Sequence, residues 1–323
     1  MATFRNRVLY SALETTEGQN ASPSSTTDAI QVLDLEIGVT SEEVEREIST
    51  PWLGAKPVVY TQKRTTFSFG VEIAGSGTAA TPPAWGRYLQ AAGFAQTLVA
   101  NNATATATIP WTGAAVVYSL VSTGFASLTM YGNHDGIAYA ALGCRATSVE
   151  IDCETSEIGR LNFEFEGAYV NPADLALPSP TYTGQSKPLT FAAGNTANAT
   201  LDGYSPCIES VTIDLGLDSV FRELVGCAKR TLITDRSVEI ELTIERPQTL
   251  AEKNFYTKID ADETMAFGFT QGTVSGNRVA FYLPTCQFTH PEADDSDGVL
   301  MHTLNGRAVA VSPGNNELVI VTG

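Results

Sequence analysis

Between residues 32 and 73 the chain reads VLDLEIG (32–38), then KPVVYTQ (56–62), then TTFSFGVEI (65–73). Leu33, Leu35 and Ile37 share one face and Asp34 and Glu36 the other. Phe67, Phe69, Val71 and Ile73 again share a face, with Ser68 and Glu72 opposite. A period of two with one dry and one wet side predicts half-buried strands. The pattern occurs a second time. SVTIDLG (210–216) repeats VLDLEIG with Gly216 in the place of Gly38, and SVEIELTI (237–244) repeats the returning strand with Val238, Ile240, Leu242 and Ile244 as its apolar set.

Each copy continues into a helix. In the first, Thr81 caps a helix over 82–92 with Pro82 in its first turn and Gly93 at its end, and Trp85, Tyr88, Leu89 and Ala92 form one stripe. In the second, Thr249 and Glu252 form a capping box, with Ala251, Phe255 and Ile259 as the stripe. Further strand patterns follow in both halves, with turns at NHDG (133–136) and SGN (275–277). GRLNFEFEGAYV (159–170) aligns without a gap to GVLMHTLNGRAV (298–309). A proline-rich stretch over 171–188 separates the copies. The expectation is a mainly β chain with short flanking helices, in two tandem β-sandwich or half-barrel domains, 1–178 and 179–323.

Two segments stand outside this scheme. Residues 4–31 read as an arm with one short strand (FRNRVLYSAL) that must pack on something else, such as a neighbouring subunit. Residues 39–57 interrupt the first hairpin as a long loop. Val44, Ile48, Trp52 and Leu53 sit there among charges, a plausible contact device or a loop folded back on its own domain. LDSVFRELVGCAKR (217–230), with Phe221, is its shorter counterpart.

Nineteen Lys and Arg against 36 Asp and Glu give a formal net charge of -17. That excludes a phosphate-gripping nucleic-acid binder but not a protein that lies beside DNA without holding it. Five cysteines without a CxxC pair read as free buried thiols of a reducing cytoplasm. Neither a signal-peptide core nor a membrane span is legible. No catalytic, cofactor-binding or metal-ligating set emerges. GSGT (75–78) lacks the dinucleotide fingerprint, and no P-loop, HExxH or GxSxG is present. His134, His290 and His302 are scattered and read as surface residues. EADDSDG (292–298) offers carboxylates for a hard cation but reads first as a solvated acidic turn.

RNRVLYSALETTEGQNASPSSTTDAIQVLDLEIG (5–38), PPAWGRYLQAAGF (82–94) and NNELVIV (315–321) resemble the opening, the helix motif and the ending of major tail tube proteins of long, flexible-tailed bacteriophages. The likeness covers most of the first half; the second lacks the PPAWG motif. It implies a β-sandwich with a flanking helix and a structural, non-enzymatic subunit without cofactors. It also implies rings whose inner sheets join into a barrel and stack into a tube that double-stranded DNA passes through unbound. Tape measure, terminator and tip proteins would be the partners, with assembly in the host cytoplasm and residence in the virion tail. With the duplication, a ring would hold three chains in pseudo-sixfold symmetry; a hexamer with the second half outside is the alternative. Asp34, Glu36, Glu72, Asp214, Glu239 and Glu241 would then face the channel, with no Lys or Arg interrupting the polar faces of the repeated strands. Val44, Ile48, Trp52, Leu53 and Phe221 would contact the next ring. A terminator, hub or decoration protein, and a hydrolase or carbohydrate-binding β-sandwich, stay open as alternatives.

Overall fold

The computed structural model describes residues 5–100 and 113–323. Phe4, at the head of the predicted arm strand, lies outside them. The first half contains β1 (Arg7–Leu13), β2 (Ala29–Ile30), β3 (Leu33–Glu45), β4 (Val58–Glu72), α1 (Gly86–Ala91), β5 (Phe94–Val99), β6 (Ala115–Leu120), β7 (Leu128–His134), β8 (Ile137–Glu154) and β9 (Arg160–Asp174). The second contains β10 (Thr196–Leu201), β11 (Ile208–Asp214), β12 (Leu217–Arg222), β13 (Arg230–Arg236), β14 (Glu239–Glu245), α2 (Phe255–Asp260), β15 (Met265–Gln271), β16 (Val279–Phe288), β17 (Glu292–Ser296), β18 (Val299–Ala308) and β19 (Val319–Thr322). The fold is mainly β with two short helices, as the alternation predicts.

The strands form two layers, and every pairing is antiparallel. The front layer runs β3-β4-β9-β8-β11-β14-β18-β17. The back layer of the first half is β2-β1-β7-β8, with β8 long and bent enough to serve both layers. The back layer of the second half is β10-β15-β16-β19-β6-β5. Pairing therefore recurs in the same order: β1 on β7 and β10 on β15, β3 on β4 and β11 on β14, β4 on β9 and β14 on β18. Between the layers one hydrophobic cluster runs from Leu9 to Ile320 without a break at the linker. Phe67, Phe69, Phe163 and Phe165 with Tyr88 fill it in the first half, and Phe267, Phe269 and Phe281 in the second. Each such ring contributes about 1.5–3 kcal/mol by leaving water.

Several expectations change in detail. The helices are shorter than the patterns suggest. Residues 82–85 form a turn that seats Trp85, whose indole donates to the Ala74 carbonyl at 2.8 Å, before α1 begins. The Thr249–Glu252 box forms only in part and closes a turn: the Glu252 amide donates to the Thr249 hydroxyl at 3.3 Å, while the Glu252 carboxylate accepts from the Gln248 amide. The helix itself starts at Asn254, whose side chain accepts from the Thr257 amide. Aligning Gly167 with Gly306 across β9 and β18 makes the Thr40–Arg64 rung equivalent to Asp214–Glu239. The glycine-matched alignment of VLDLEIG with SVTIDLG is thus slipped by four residues. Four is even, so the same side stays wet.

The arm packs on its own chain. β1 pairs along all of β7, Tyr10 stacks on Tyr131 at 5.5 Å, and the Glu14 carboxylate accepts from Ser127, Thr129 and the amides of Gly18 and Gly143. The proline-rich stretch is strapped down as well: the Ala84 amide donates to Gly184, and Asn277 to Lys187. GSGT is one of the places where the halves touch. The Gly75 amide donates to the Asn277 side chain at 2.8 Å, the Gly77 amide to the Gly276 carbonyl at 2.8 Å, and a Cβ on Gly75 would lie 2.2 Å from that same carbonyl oxygen.

Candidate functional site

The wet side of the front layer is the most extended polar surface the fold builds. Cross-strand partners point to the same side, so rungs can be read across the sheet. One rung runs Gly70, Asn162, Glu150, Asp214, Glu239, Arg307. The next runs Glu72, Arg160, Asp152, Thr212, Glu241, Asn305. Glu36 leads a third, through Ser68 and Glu164. Asp34, in a bulge with φ 50°, opens onto a shallow cavity of about 180 Å³ that Glu150, Arg160 and Glu164 also line. All six acidic residues picked from the strand pattern thus lie on one face, joined by Glu150, Asp152 and Glu164, which the pattern did not single out. The face is not free of cations. Arg160 lies opposite Glu72 and Asp152, and Arg307 opposite Glu239. Both come from the strands whose wet side was not weighed. Crowding is still felt: partial burial, then the charges of Asp152 and Asp214, push the Glu150 carboxyl above its ordinary value.

Two hairpin arms leave this sheet. The first is strand where a loop was expected: β3 continues to Glu45 and pairs with β4 down to Val58, leaving only 46–57 as its tip. Val44 and Val59 face each other on one exposed side, and Trp52 (70% exposed) and Leu53 crown the tip. The second arm is β12–β13, also strand where a loop was expected, with Leu224 and Val225 exposed at its tip. Phe221 is not exposed there. It is 9% exposed and lies under the Arg64 guanidinium, 5.9 Å from ring centroid to carbon. The residues that match Trp52 and Leu53 in exposure are Leu224 and Val225.

The second arm is fastened to the first half. Arg145 donates to the Thr231 carbonyl at 2.8 Å and pairs with Glu17 at 2.8 Å, Thr231 donates to the Glu166 carbonyl at 3.0 Å, and Arg230 reaches Glu17 at 3.2 Å. Together with the β8–β11 pairing this makes the junction between the halves.

The remaining candidates resolve simply. Glu292–Ser296 of EADDSDG are β17, hydrogen-bonded on one side to β18. Among the described residues no group of three or more His, Cys, Asp or Glu could hold a metal ion. His302 is buried, not on a wet face, and burial with the Arg246 charge pulls its pKa down; His290 is exposed and pairs with Asp260 at 3.3 Å. Cys144, Cys153 and Cys286 are buried free thiols, the latter two pushed up to about 12 by burial, while Cys207 and Cys227 are exposed. No described helix is long and apolar enough to cross a membrane.

An antiparallel sheet of eight strands, hydrogen-bonded among the described residues on only one side at β3 and at β17, defines a class: mainly β proteins whose front sheet is left open at both ends. Within it, the chain belongs to the phage tail tube protein family, whose sequence model matches residues 5–308. It is a structural subunit of the tail tube, a component of the virion tail. No curated protein matches it.

Proposed function

We propose that three chains close into one ring with six equivalent places, each chain supplying eight strands of a continuous barrel, and that rings stack into the tube. The observation that carries this is the β8–β11 seam. Inside one chain, the last front strand of the first half pairs with the first front strand of the second over Glu150–Glu154 and Ser210–Asp214. The same kind of edge, β17, is left open at one end of the sheet and β3 at the other. Repeating the seam between chains closes both edges.

Size supports three. At ~4.8 Å between strands, three copies of the sheet give a wall about 115 Å around and about 37 Å across before tilt widens it. Six copies of the whole sheet would double that. A hexamer with the second half outside would need the second half to leave the sheet that β8–β11 joins.

In this ring Asp34, Glu36, Glu72, Asp214, Glu239 and Glu241 line the bore. Excess negative charge keeps DNA from binding the wall, so it slides; Arg160 and Arg307 lower the field without forming a cationic patch. The role is structural and not catalytic, and the chain works as two tandem units, 1–178 and 179–323, that share a sheet and a core. Tip residues Ile48, Trp52 and Leu53 bear on the adjoining ring, Leu224 and Val225 take the place first given to Phe221, and Val44, lower in the arm, stands off that contact. Tape measure, terminator and tip proteins are the remaining partners, met during assembly in the host cytoplasm.

Cryo-electron microscopy of purified, assembled protein tests the reading. Stacked rings of three chains with the six carboxylates toward the lumen are expected. Rings of six chains, or those carboxylates on the outside, would overturn it.

A further inference from the structure

The in-chain junction has two parts: the β8–β11 seam, and the β12–β13 arm seated on the first half. The proposed ring repeats the seam between chains, and the second part has an empty counterpart. With Gly167 aligned to Gly306, the seat positions Arg64, Arg145 and Glu166 become Glu239, Thr289 and Asn305. The alignment is physically constrained. A Cβ on Gly167 would meet the Cys144 sulfur at 2.4 Å, and one on Gly306 would meet the Phe288 ring at 2.7 Å, so both glycines admit the neighbouring strand's side chain. In the first half this seat holds Phe221 and Thr231. In the second half it is an open cavity of about 410 Å³, lined by Glu239, Thr289, Asn305 and Arg307 and by Asp262 and Glu263 after α2.

We propose that this cavity seats the β3–β4 arm of the next chain in the ring. The inference rests on the ring reading above and adds a lateral contact to it. The two faces of the arm differ in a way that selects one for the seat. Glu42–Thr61, Val44–Val59 and Arg46–Pro57 lie on one face, and Glu43–Tyr60 and Glu45–Val58 on the other. The face with Val44, Val59 and Arg46 is the apolar one and carries a single acid. The seat holds three carboxylates against one arginine. Arg46 would then meet Asp262 or Glu263 as Arg230 meets Glu17 within the chain. Glu43 and Glu45 would turn away. The arm thus braces a neighbour in its own ring along its length and reaches the adjoining ring only with its tip.

Val59→Cys with Thr289→Cys, in a chain also carrying Cys207→Ser and Cys227→Ser, tests this with a short bis-maleimide. All four positions are exposed. Circular dichroism checks folding, and microscopy checks that rings and tubes form before cross-linking. The expected result is a denaturing-gel ladder that stops at the number of chains in one ring, and loss of all cross-linked bands in either single-cysteine version. A ladder that climbs past one ring, or tubes without cross-links, would overturn the seat and leave the tube reading standing. Absence of rings and tubes from the unmutated protein would sink the tube reading and the seat with it.

Discussion

Replacing Arg145 by methionine removes the cation at the junction of the halves. Its guanidinium donates to the carbonyls of Phe125 at 3.2 Å, Ala126 at 3.3 Å and Thr231 at 2.8 Å, and it pairs with Glu17 at 2.8 Å. The side chain is almost fully buried. Burial pulls its pKa below the ordinary guanidinium value while Glu17 pulls it back up, and an arginine stays charged under these conditions. Methionine keeps most of the volume and none of the donors. Three carbonyls lose their partner, and Glu17 keeps only Arg230. Breaking one side of a buried pair costs about 3–5 kcal/mol. Glu17 is partly exposed and retains a cation, which puts this case near the bottom of that range, about 3 kcal/mol. In a chain of this length that lowers the midpoint of thermal unfolding by roughly 4 °C. Urea unfolding of unassembled subunit gives the free energy directly, and Glu17→Gln with the double variant completes a cycle. Arg145→Met within about 1 kcal/mol of the parent would mean the junction behaves as a surface ion pair, and the reasoning would fail.

Three further outcomes are expected. Gly75→Ala places a carbon 2.2 Å from the Gly276 carbonyl oxygen and should destabilise the chain by about 1–3 kcal/mol in the same urea assay, because backbone is the obstacle. Glu150→Gln should stabilise at neutral pH. The folded carboxyl titrates above the unfolded one, so its charge disfavours folding above the folded pKa. The penalty fades as pH falls through the interval and is absent below the unfolded pKa. Unfolding midpoints of the two proteins should therefore converge in acid, and a gain that persists there would point away from charge. Trp52→Ser with Leu53→Ser should leave the unfolding free energy within ~0.5 kcal/mol, since both side chains face water in the subunit. Electron microscopy should then show single rings and no tubes.

The sheet core was legible because its strands have one dry side; β4 and β14 show the alternation plainly. The arms were not. Residues 39–45 have water on both sides, so their strand carries no period, and the arm reads as a loop until the β3–β4 rungs are seen. The same holds for β12–β13, where Phe221 looks like a contact residue because its cover, Arg64, lies far away in sequence. The capping box at Thr249 is a real local signal that a turn used first. The β8–β11 pairing links residues about 60 positions apart and the β6–β19 pairing residues about 200 apart, and neither leaves a mark in either segment. The acidic face was half legible: β3, β4, β11 and β14 announced their carboxylates, while Arg160 and Arg307 became neighbours only through register.

Joining two places in one polypeptide changes how a ring begins. Half of its seams exist before any two molecules meet, so three seams remain to be made in place of six, and two encounters bring the ring together in place of five. Each fused seam is spared the loss of translational and rotational freedom, about 4–15 kcal/mol, that an encounter costs. Places also arrive in twos, so rings of five or seven cannot arise, and a miscounted ring differs from a correct one by a third of its girth.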